Sequence, residues 1–169
     1  MDAPVDIAFS PDSLFAYVTG YNSNSVAIFK QNDAVASKFS FVGSITATTM
    51  STHTLSGPHG LVVSPDGKNL YVIATNSDVL AAYKRNTTTG LLTPIQTRYQ
   101  GDCQDASFIC LFGLSGLSSP YEIAISPDGR TIAIPVYDEK YQYIYVINEN
   151  ERIPRRVTSD AKVVVSTPK

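Results

Sequence analysis

The fold is decided by residues 58–86, PHGLVVSPDGKNLYVIATNSDVLAAYKRN, because similar stretches lie on either side of them. Residues 4–32 align with this stretch without a gap and are identical to it at 11 of the 29 positions. Residues 120–148 form a third, more diverged copy, which shares seven residues with the second copy. A repeat of this kind indicates that one structural unit is used three times along the chain.

Each copy contains the same succession of short apolar segments. The first segment ends at Ser-Pro-Asp, where proline fixes φ and Asp or Gly favours a tight turn. No stretch has apolar residues at the i, i+3, i+4 spacing of a helix, so we predict four antiparallel strands in each copy. The predicted strands are 7–9, 15–19, 26–30 and 39–45, then 61–63, 70–74, 80–84 and 91–97, then 123–125, 132–136, 143–147 and either 153–158 or 163–166.

The copies resemble a known family of repeats. Residues 64–72 (SPDGKNLYV), residues 86–92 (NTTTGLL) and Tyr17-Val18-Thr19-Gly20 are similar to the YVTN-type, lactonase-like β-propeller repeat. The resemblance implies that each copy is one four-stranded blade of a propeller. We therefore predict an all-β fold of three four-stranded antiparallel sheets, a partial or half propeller formed as one unit over residues 1–169. The predicted blades are about 4–47, 58–100 and 120–166.

Three blades are fewer than the ~4–8 of known propellers, so the outer faces of the first and last blades need a cover. Charged residues make up only 17% of the chain, below the typical ~25%, which fits a partly covered surface. We favour a homodimer in which blade 3 of each chain meets blade 1 of the other and closes a six-bladed ring. The alternative is that the chain is a fragment of a larger, seven-bladed propeller.

The charge balance excludes some partners. With 13 Lys and Arg against 15 Asp and Glu, the chain lacks the basic excess that nucleic-acid binding requires. No apolar run reaches the ~18 residues of a membrane span. Met1-Asp2-Ala3-Pro4 does not begin a signal peptide, so the sequence shows none.

Two cysteines lie in the long connection between the second and third copies. Cys103 and Cys110 are seven residues apart, and no histidine stands near them. We predict a disulfide that fixes a surface loop and, with it, an extracytoplasmic location, periplasmic or secreted.

The resemblance also implies where a ligand would bind. The first strand of each blade would line the central channel, and its start would share a face with the loops between second and third strands. Converging loops on a rigid scaffold form a concave site. The residues predicted on this ligand-binding face are Val5, Asp6, Asn24, His59, Asp78, Tyr121, Glu122 and Lys140.

His59 has two interpretations. Beside Glu122, a neutral imidazole would serve as a general base, as the resemblance to lactonase-like propellers suggests. Alternatively, His59 contributes only packing and a hydrogen bond in the turn after Pro58. His53 lies nearby in the sequence, but no third ligand is suitably spaced, so we predict no metal site and no cofactor.

The sequence favours a non-enzymatic module that binds a carbohydrate or protein ligand through the loop face and associates with itself. The alternative is a lactonase-like hydrolase acting on a sugar lactone, because the family resemblance and His59 with Glu122 allow it. The recurring Asp12, Asp66 and Asp128 are predicted to cap their turns rather than to act in catalysis.

Overall fold

The computed structural model describes residues 1–32, 38–46, 55–99, 119–137, 142–148 and 155–158. Within these ranges the chain forms twelve strands and no helix, in three four-stranded sheets. Blade 1 contains β1 (Pro4–Phe9), β2 (Phe15–Gly20), β3 (Ser25–Gln31) and β4 (Phe39–Thr46), and blade 2 contains β5 (Pro58–Val63), β6 (Asn69–Ala74), β7 (Val79–Arg85) and β8 (Leu92–Tyr99). Blade 3 contains β9 (Ala124–Ile125), β10 (Thr131–Tyr137), β11 (Gln142–Asn148) and β12 (Arg155–Thr158).

Within each sheet the strands follow one another in chain order and pair antiparallel, so each blade is a meander. The predicted all-β fold of propeller blades is confirmed. For the fourth strand of blade 3, the structure selects the first of the two predicted segments, since β12 spans Arg155–Thr158. The second segment, 163–166, lies outside the described residues.

The Ser-Pro-Asp turns have the predicted structural role. In blade 2, Ser64 Oγ donates to Asp66 Oδ1 at 2.6 Å, and the Lys68 N–H donates to the same oxygen at 3.0 Å. These two hydrogen bonds hold the pKa of Asp66 below its ordinary value. The Ser126 hydroxyl and the Arg130 amide lower the pKa of Asp128 in the same way in blade 3.

Two apolar cores lie between neighbouring blades. Phe15, Tyr17 and Ile28 of blade 1 are fully buried against blade 2, where Leu70 and Val72 meet them. The face of blade 2 that bears Ile73 and Leu80 packs on Ile132, Ile134 and Val136 of blade 3. Burying each large apolar side chain contributes about 1.5–3 kcal/mol, so face-to-face packing holds the blades together.

A buried arginine crosses the first of these interfaces. The Arg85 side chain is 1% exposed, and its Nε donates to the Tyr17 hydroxyl at 2.6 Å. Its guanidinium also donates to the Gly67 carbonyl at 2.8 Å and reaches Asp12 Oδ2 at 3.4 Å. The sequence did not single out this residue, because a charged side chain at the end of a strand ordinarily faces solvent.

Blade 1 presents an uncovered apolar face. Ile7 is 52% exposed, Phe9 is 54% exposed and Phe41 is 63% exposed. The repeat equivalents of Ile7 and Phe9 at the start of blade 2, Leu61 and Val63, pack in the core that blade 1 covers. Among the described residues, no sheet covers this face of blade 1 in the way that blade 1 covers the same face of blade 2.

Candidate functional site

The innermost strands begin irregularly, and this irregularity shapes the candidate site. The pairing of β1 with β2 shifts register between Pro4 and Ile7, and that of β5 with β6 shifts between Pro58 and Leu61. Backbone groups at these positions are thereby freed to bond neighbouring blades. We call this end of the blades the rim; it is formed by residues 1–6, 21–24, 55–60, 75–78 and 119–122.

His59 lies at the rim where blade 2 meets the chain entering blade 3. Its Nδ1 is 2.7 Å from the carbonyl oxygen of Tyr121. A carbonyl oxygen only accepts, so Nδ1 carries the proton and the neutral ring keeps its lone pair on Nε2. This is the tautomer that a base acting through Nε2 requires.

Two tyrosine rings stand against the imidazole. The Tyr121 ring centroid is 5.2 Å from that of His59 with an interplanar angle of 88°. The Tyr21 ring lies 6.4 Å away at 87°, and its hydroxyl donates to Asn76 Oδ1 at 2.8 Å. Aromatic pairs prefer edge-to-face arrangements of this kind.

Tyr21 was not predicted as a site residue. It stands one residue before the loop 22–24 that the sequence placed on the ligand-binding face. A tyrosine at the beginning of such a turn could have indicated a site residue. The sequence does not show, however, that its side chain reaches the next blade.

Thr19 and Asp6 hold the backbone around His59. The buried Thr19 hydroxyl donates to the His59 carbonyl oxygen at 2.7 Å and accepts the Asp6 N–H at 3.1 Å. Asp6 Oδ2 accepts the Leu61 N–H of blade 2 at 3.1 Å. The two side chains thus connect the start of blade 1 to the start of blade 2 on either side of His59.

Gly60 permits a close approach between blades 2 and 3. A Cβ atom at this position would lie 3.0 Å from the Tyr121 carbonyl oxygen and 3.2 Å from Glu122 Cα. The hydrogen bond from His59 Nδ1 to Tyr121 depends on this approach, so the absence of a side chain at position 60 helps to build the site.

Asn24 and Asp78, two predicted ligand contacts, have structural partners. Asn24 Oδ1 accepts the Gly57 N–H at 2.8 Å, and Asp78 Oδ1 accepts the Ser119 N–H at 2.8 Å. Each bond joins the loop after the second strand of one blade to the residue that precedes the next blade's proline. We call these two bonds the blade hooks, and they occupy oxygens that the sequence assigned to a ligand.

The remaining predicted residues divide into exposed ones and ones outside the described structure. Val5, Tyr121 and Glu122 are exposed at the rim. Within the described residues, no hydrogen bond joins the Glu122 carboxylate to His59; the partner of His59 is the Tyr121 carbonyl instead. Lys140, His53, Cys103 and Cys110 lie outside the described residues.

Two further features concern the part of the chain that the structure describes, residues 1–32, 38–46, 55–99, 119–137, 142–148 and 155–158. No group of three or more His, Cys, Asp or Glu side chains there is arranged to hold a metal ion. No helix in those residues is long and apolar enough to cross a membrane.

Meandering four-stranded sheets that pack face to face, with their first strands starting at a common rim, define a segment of a β-propeller. The sequence profile of the family described as "Lactonase, 7-bladed beta-propeller" matches residues 2–108. This chain belongs to that family. None of the curated proteins matches the sequence.

Solved structures show the same fold. A candidate 6-phosphogluconolactonase from Bacteroides fragilis superposes with a TM-score of 0.65 at 20% identity over 96% of this chain and 42% of its own. The periplasmic gluconolactonase of Pseudomonas aeruginosa gives 0.64 at 18% identity, over 96% and 39%. Hydrazine synthase of Kuenenia stuttgartiensis gives 0.66 at 20% identity, over 96% and 38%. The chain spans about two fifths of the length of these structures.

Proposed function

We propose that the chain supplies three consecutive blades of a lactonase-type propeller and that its rim binds and hydrolyses a sugar lactone. The observation that supports this proposal is the contact between His59 Nδ1 and the Tyr121 carbonyl oxygen. The Tyr121 carbonyl at 2.7 Å holds the Nδ1 proton, which leaves the lone pair of Nε2 for a substrate or water. Membership of the lactonase family supports the reaction class.

The proposed reaction is an ordinary ester hydrolysis. His59 Nε2 takes a proton from water as its oxygen attacks the lactone carbonyl carbon. The ring C–O bond then breaks, and the imidazolium returns the proton to the departing alkoxide, which gives the open-chain hydroxy acid. General base catalysis of this type contributes about 10²–10⁴-fold to a rate. The Tyr21 and Tyr121 rings would contact the apolar face of the sugar.

The ring that contains these blades is part of the proposal. The family is described as seven-bladed, and the chain spans about two fifths of the length of the similar structures. Both observations support three blades of a seven-bladed ring over a six-bladed dimer. The six-bladed homodimer that the sequence favoured stays a prediction. We also propose an extracytoplasmic location, supported by the likeness to a periplasmic gluconolactonase, and a Cys103–Cys110 disulfide, which such a compartment would allow.

The experiment is a lactone hydrolysis assay with a matched pair of variants. We expect the purified protein to accelerate opening of δ-gluconolactone above its spontaneous rate, and His59→Gln to lose about 10²-fold or more of that acceleration. Asp128→Asn, in a turn at the opposite end of blade 3, is the control and should keep the activity. Circular dichroism spectra would check that both variants fold.

The non-enzymatic binding module is a distinct outcome of the same experiment. Saturable binding of a sugar without any acceleration of hydrolysis would exclude the lactonase and support the binding module. If His59→Gln hydrolysed the lactone as fast as the parent protein, His59 would have no role in the reaction.

A further inference from the structure

The chain enters blade 3 through a residue in an unfavourable conformation. Ser119 has φ of +45° and stands directly before Pro120. Left-handed backbone is unfavourable for serine, and a following proline favours extended conformations for the residue before it. Such a conformation persists only where the surroundings hold it. One bond that holds it is a blade hook, in which the Ser119 N–H donates to Asp78 Oδ1 at 2.8 Å.

A second bond to the same segment comes from Thr75. This residue is only 9% exposed, and its hydroxyl donates to the Pro120 carbonyl oxygen at 2.6 Å. Proline has no N–H, so this carbonyl is the only polar backbone group of residue 120. The next carbonyl along the chain, that of Tyr121, is 2.7 Å from His59 Nδ1. Thr75 thus fixes the peptide unit that immediately precedes the one in contact with the imidazole.

Thr75 is an exception within the repeat. The aligned positions of the first and third copies hold Tyr21 and Tyr137. In blade 1 the Tyr21 hydroxyl donates to Asn76 Oδ1, and the residue before the next proline is Gly57, for which a φ of +62° costs little. Where blade 2 meets blade 3, serine takes the place of this glycine, and the hydroxyl of Thr75 adds a bond that helps to hold the less favourable backbone.

The other side of the contact between His59 and Tyr121 is held in a similar way. The fully buried Thr19 hydroxyl donates to the His59 carbonyl oxygen at 2.7 Å. One buried threonine therefore fixes the backbone that carries the imidazole, and another fixes the backbone next to its acceptor. A hydrogen bond between two separate segments requires both to be fixed, because it weakens steeply as its distance and angle change.

We infer that Thr75 is a positioning residue of the candidate site. By fixing the Pro120 carbonyl, it sets the Tyr121 carbonyl against His59 Nδ1 and so keeps the lone pair of the imidazole on Nε2. The inference rests on the proposed function, in which that lone pair accepts a proton from water. Thr75 acts through the backbone that enters blade 3 and not by contact with the substrate.

Nitrogen NMR of the imidazole tests this without relying on turnover. The chain has two histidines, so a His53→Gln background leaves His59 as the one observed. At about pH 8, above the range in which histidine ordinarily titrates, the protonated ring nitrogen resonates far from the one with the lone pair. We expect Nδ1–H in this background. Adding Thr75→Val, which keeps the shape of the side chain but removes the donor, should give a mixture of both tautomers.

The kinetic constants give an independent readout. We expect Thr75→Val to lower kcat for δ-gluconolactone by about tenfold, since a misplacement of about 1 Å can cost about 10²-fold. KM should change little, because the hydroxyl acts through the base rather than through substrate contacts. Thr75→Ser retains the hydroxyl and should recover most of the rate and the parent tautomer.

Thr97→Val is the matched control. It makes the same substitution at a buried threonine of the same blade, in the outermost strand β8, and should keep both kcat and the His59 tautomer. Urea unfolding would compare the stability losses of the two valine variants. Should Thr75→Val fail to fold, Thr75→Ala removes the same hydroxyl without the added methyl group and serves in its place.

The failures can be distinguished. An unchanged tautomer and kcat in Thr75→Val would leave Thr75 a purely structural role and overturn the inference, while the proposed function would stand. A changed tautomer with an unchanged kcat would contradict the importance of this positioning for the reaction. If the tautomer depended on Thr75 but the parent protein did not hydrolyse the lactone, the proposed function would fail and the positioning of His59 would stand. Nε2–H as the main tautomer of the parent would overturn the positioning and the role of His59 as a base.

Discussion

Single residues show how the three copies depart from one another. At the fourth position of the Ser-Pro-Asp turn, blades 2 and 3 have Gly67 and Gly129 with φ of +71° and +74°. Blade 1 has Ser13 there, with φ of +59°. A non-glycine residue is strained in this left-handed region. The backbone of blade 1 therefore adopts the same turn as blades 2 and 3, although serine does not favour the left-handed region.

We expect Ser13→Gly to stabilise the protein by about 0.5–1 kcal/mol, since relief of the strain outweighs the greater flexibility of glycine in the unfolded chain. Urea unfolding followed by circular dichroism would measure this. Gly67→Ser is the reciprocal control and should destabilise by a similar amount. A loss of stability in Ser13→Gly would show that the turn is not strained.

Asp12 differs from Asp66 and Asp128 because a buried guanidinium faces it. Burial raises the pKa of Asp12, but the hydrogen bonds from Ser10 and Leu14 and the charge of Arg85 outweigh it, so the pKa falls below its ordinary value of 3.8. A carboxylate with a lowered pKa contributes stability above that ordinary value and loses it as the pH falls through the folded-state pKa.

We expect Asp12→Asn to cost more stability than Asp66→Asn at neutral pH, by about 1 kcal/mol. This is well below the ~3–5 kcal/mol of a fully buried pair, because the Asp12 side chain is 39% exposed. The difference should disappear as the pH falls well below 3.8. Urea unfolding of both variants across this pH range is the measurement. A stability difference independent of pH would rule out the charge of Asp12 as its cause.

At the scale of the strands, the repeat predicts the elements well and their mutual contacts poorly. Ser-Pro-Asp and the short apolar segments predict the hairpins, because both signals are local. The structural hydrogen bonds of Asn24 and Asp78 were not predicted, since their partners Gly57 and Ser119 lie at the far ends of long connections. Arg85 and Tyr21 were missed for the same reason. A contact across blades depends on how two sheets pack, which no short motif encodes.

The close approach of β5 to the entry of blade 3 gives a prediction at this scale. Gly60→Ala would place a Cβ atom against the Tyr121 carbonyl oxygen and Glu122 Cα. We expect a loss of about 1–3 kcal/mol and a perturbed His59 ring, visible in its NMR resonances. Gly43→Ala is the control, because the nearest atom to its Cβ would be 3.9 Å away. Equal stabilities for the two variants would contradict the close packing.

At the scale of the whole molecule, the main feature is the exposed apolar face of blade 1. Ile7, Phe9 and Phe41 expose apolar surface on one sheet, and such patches ordinarily mark an interface. The sequence-based prediction was that blade 3 of a second chain covers this face. In the proposed seven-bladed ring, other blades would cover it.

We expect the 169-residue chain alone to self-associate through this face. Phe41→Lys should then shift the protein toward the monomer in multi-angle light scattering, because a charge cannot be buried there without a partner. Leu91→Lys is a control at an exposed apolar residue in the turn before β8. A parent chain that is already monomeric at micromolar concentration would refute the homodimer and leave the larger ring.

In both blade hooks, the acceptor belongs to the earlier repeat and the donor stands at the start of the next one. The first and second repeats each hold an acceptor oxygen after their second strand, and the N–H that it receives lies just before the proline of the repeat that follows. A tandem copy of the second repeat would therefore bring the acceptor for its successor and the donor for its predecessor, whereas the third repeat has Lys140 at the acceptor position. Insertion or removal of whole repeats is thus compatible with the joints themselves, and the number of blades is left to be set by the curvature at which the sheets pack.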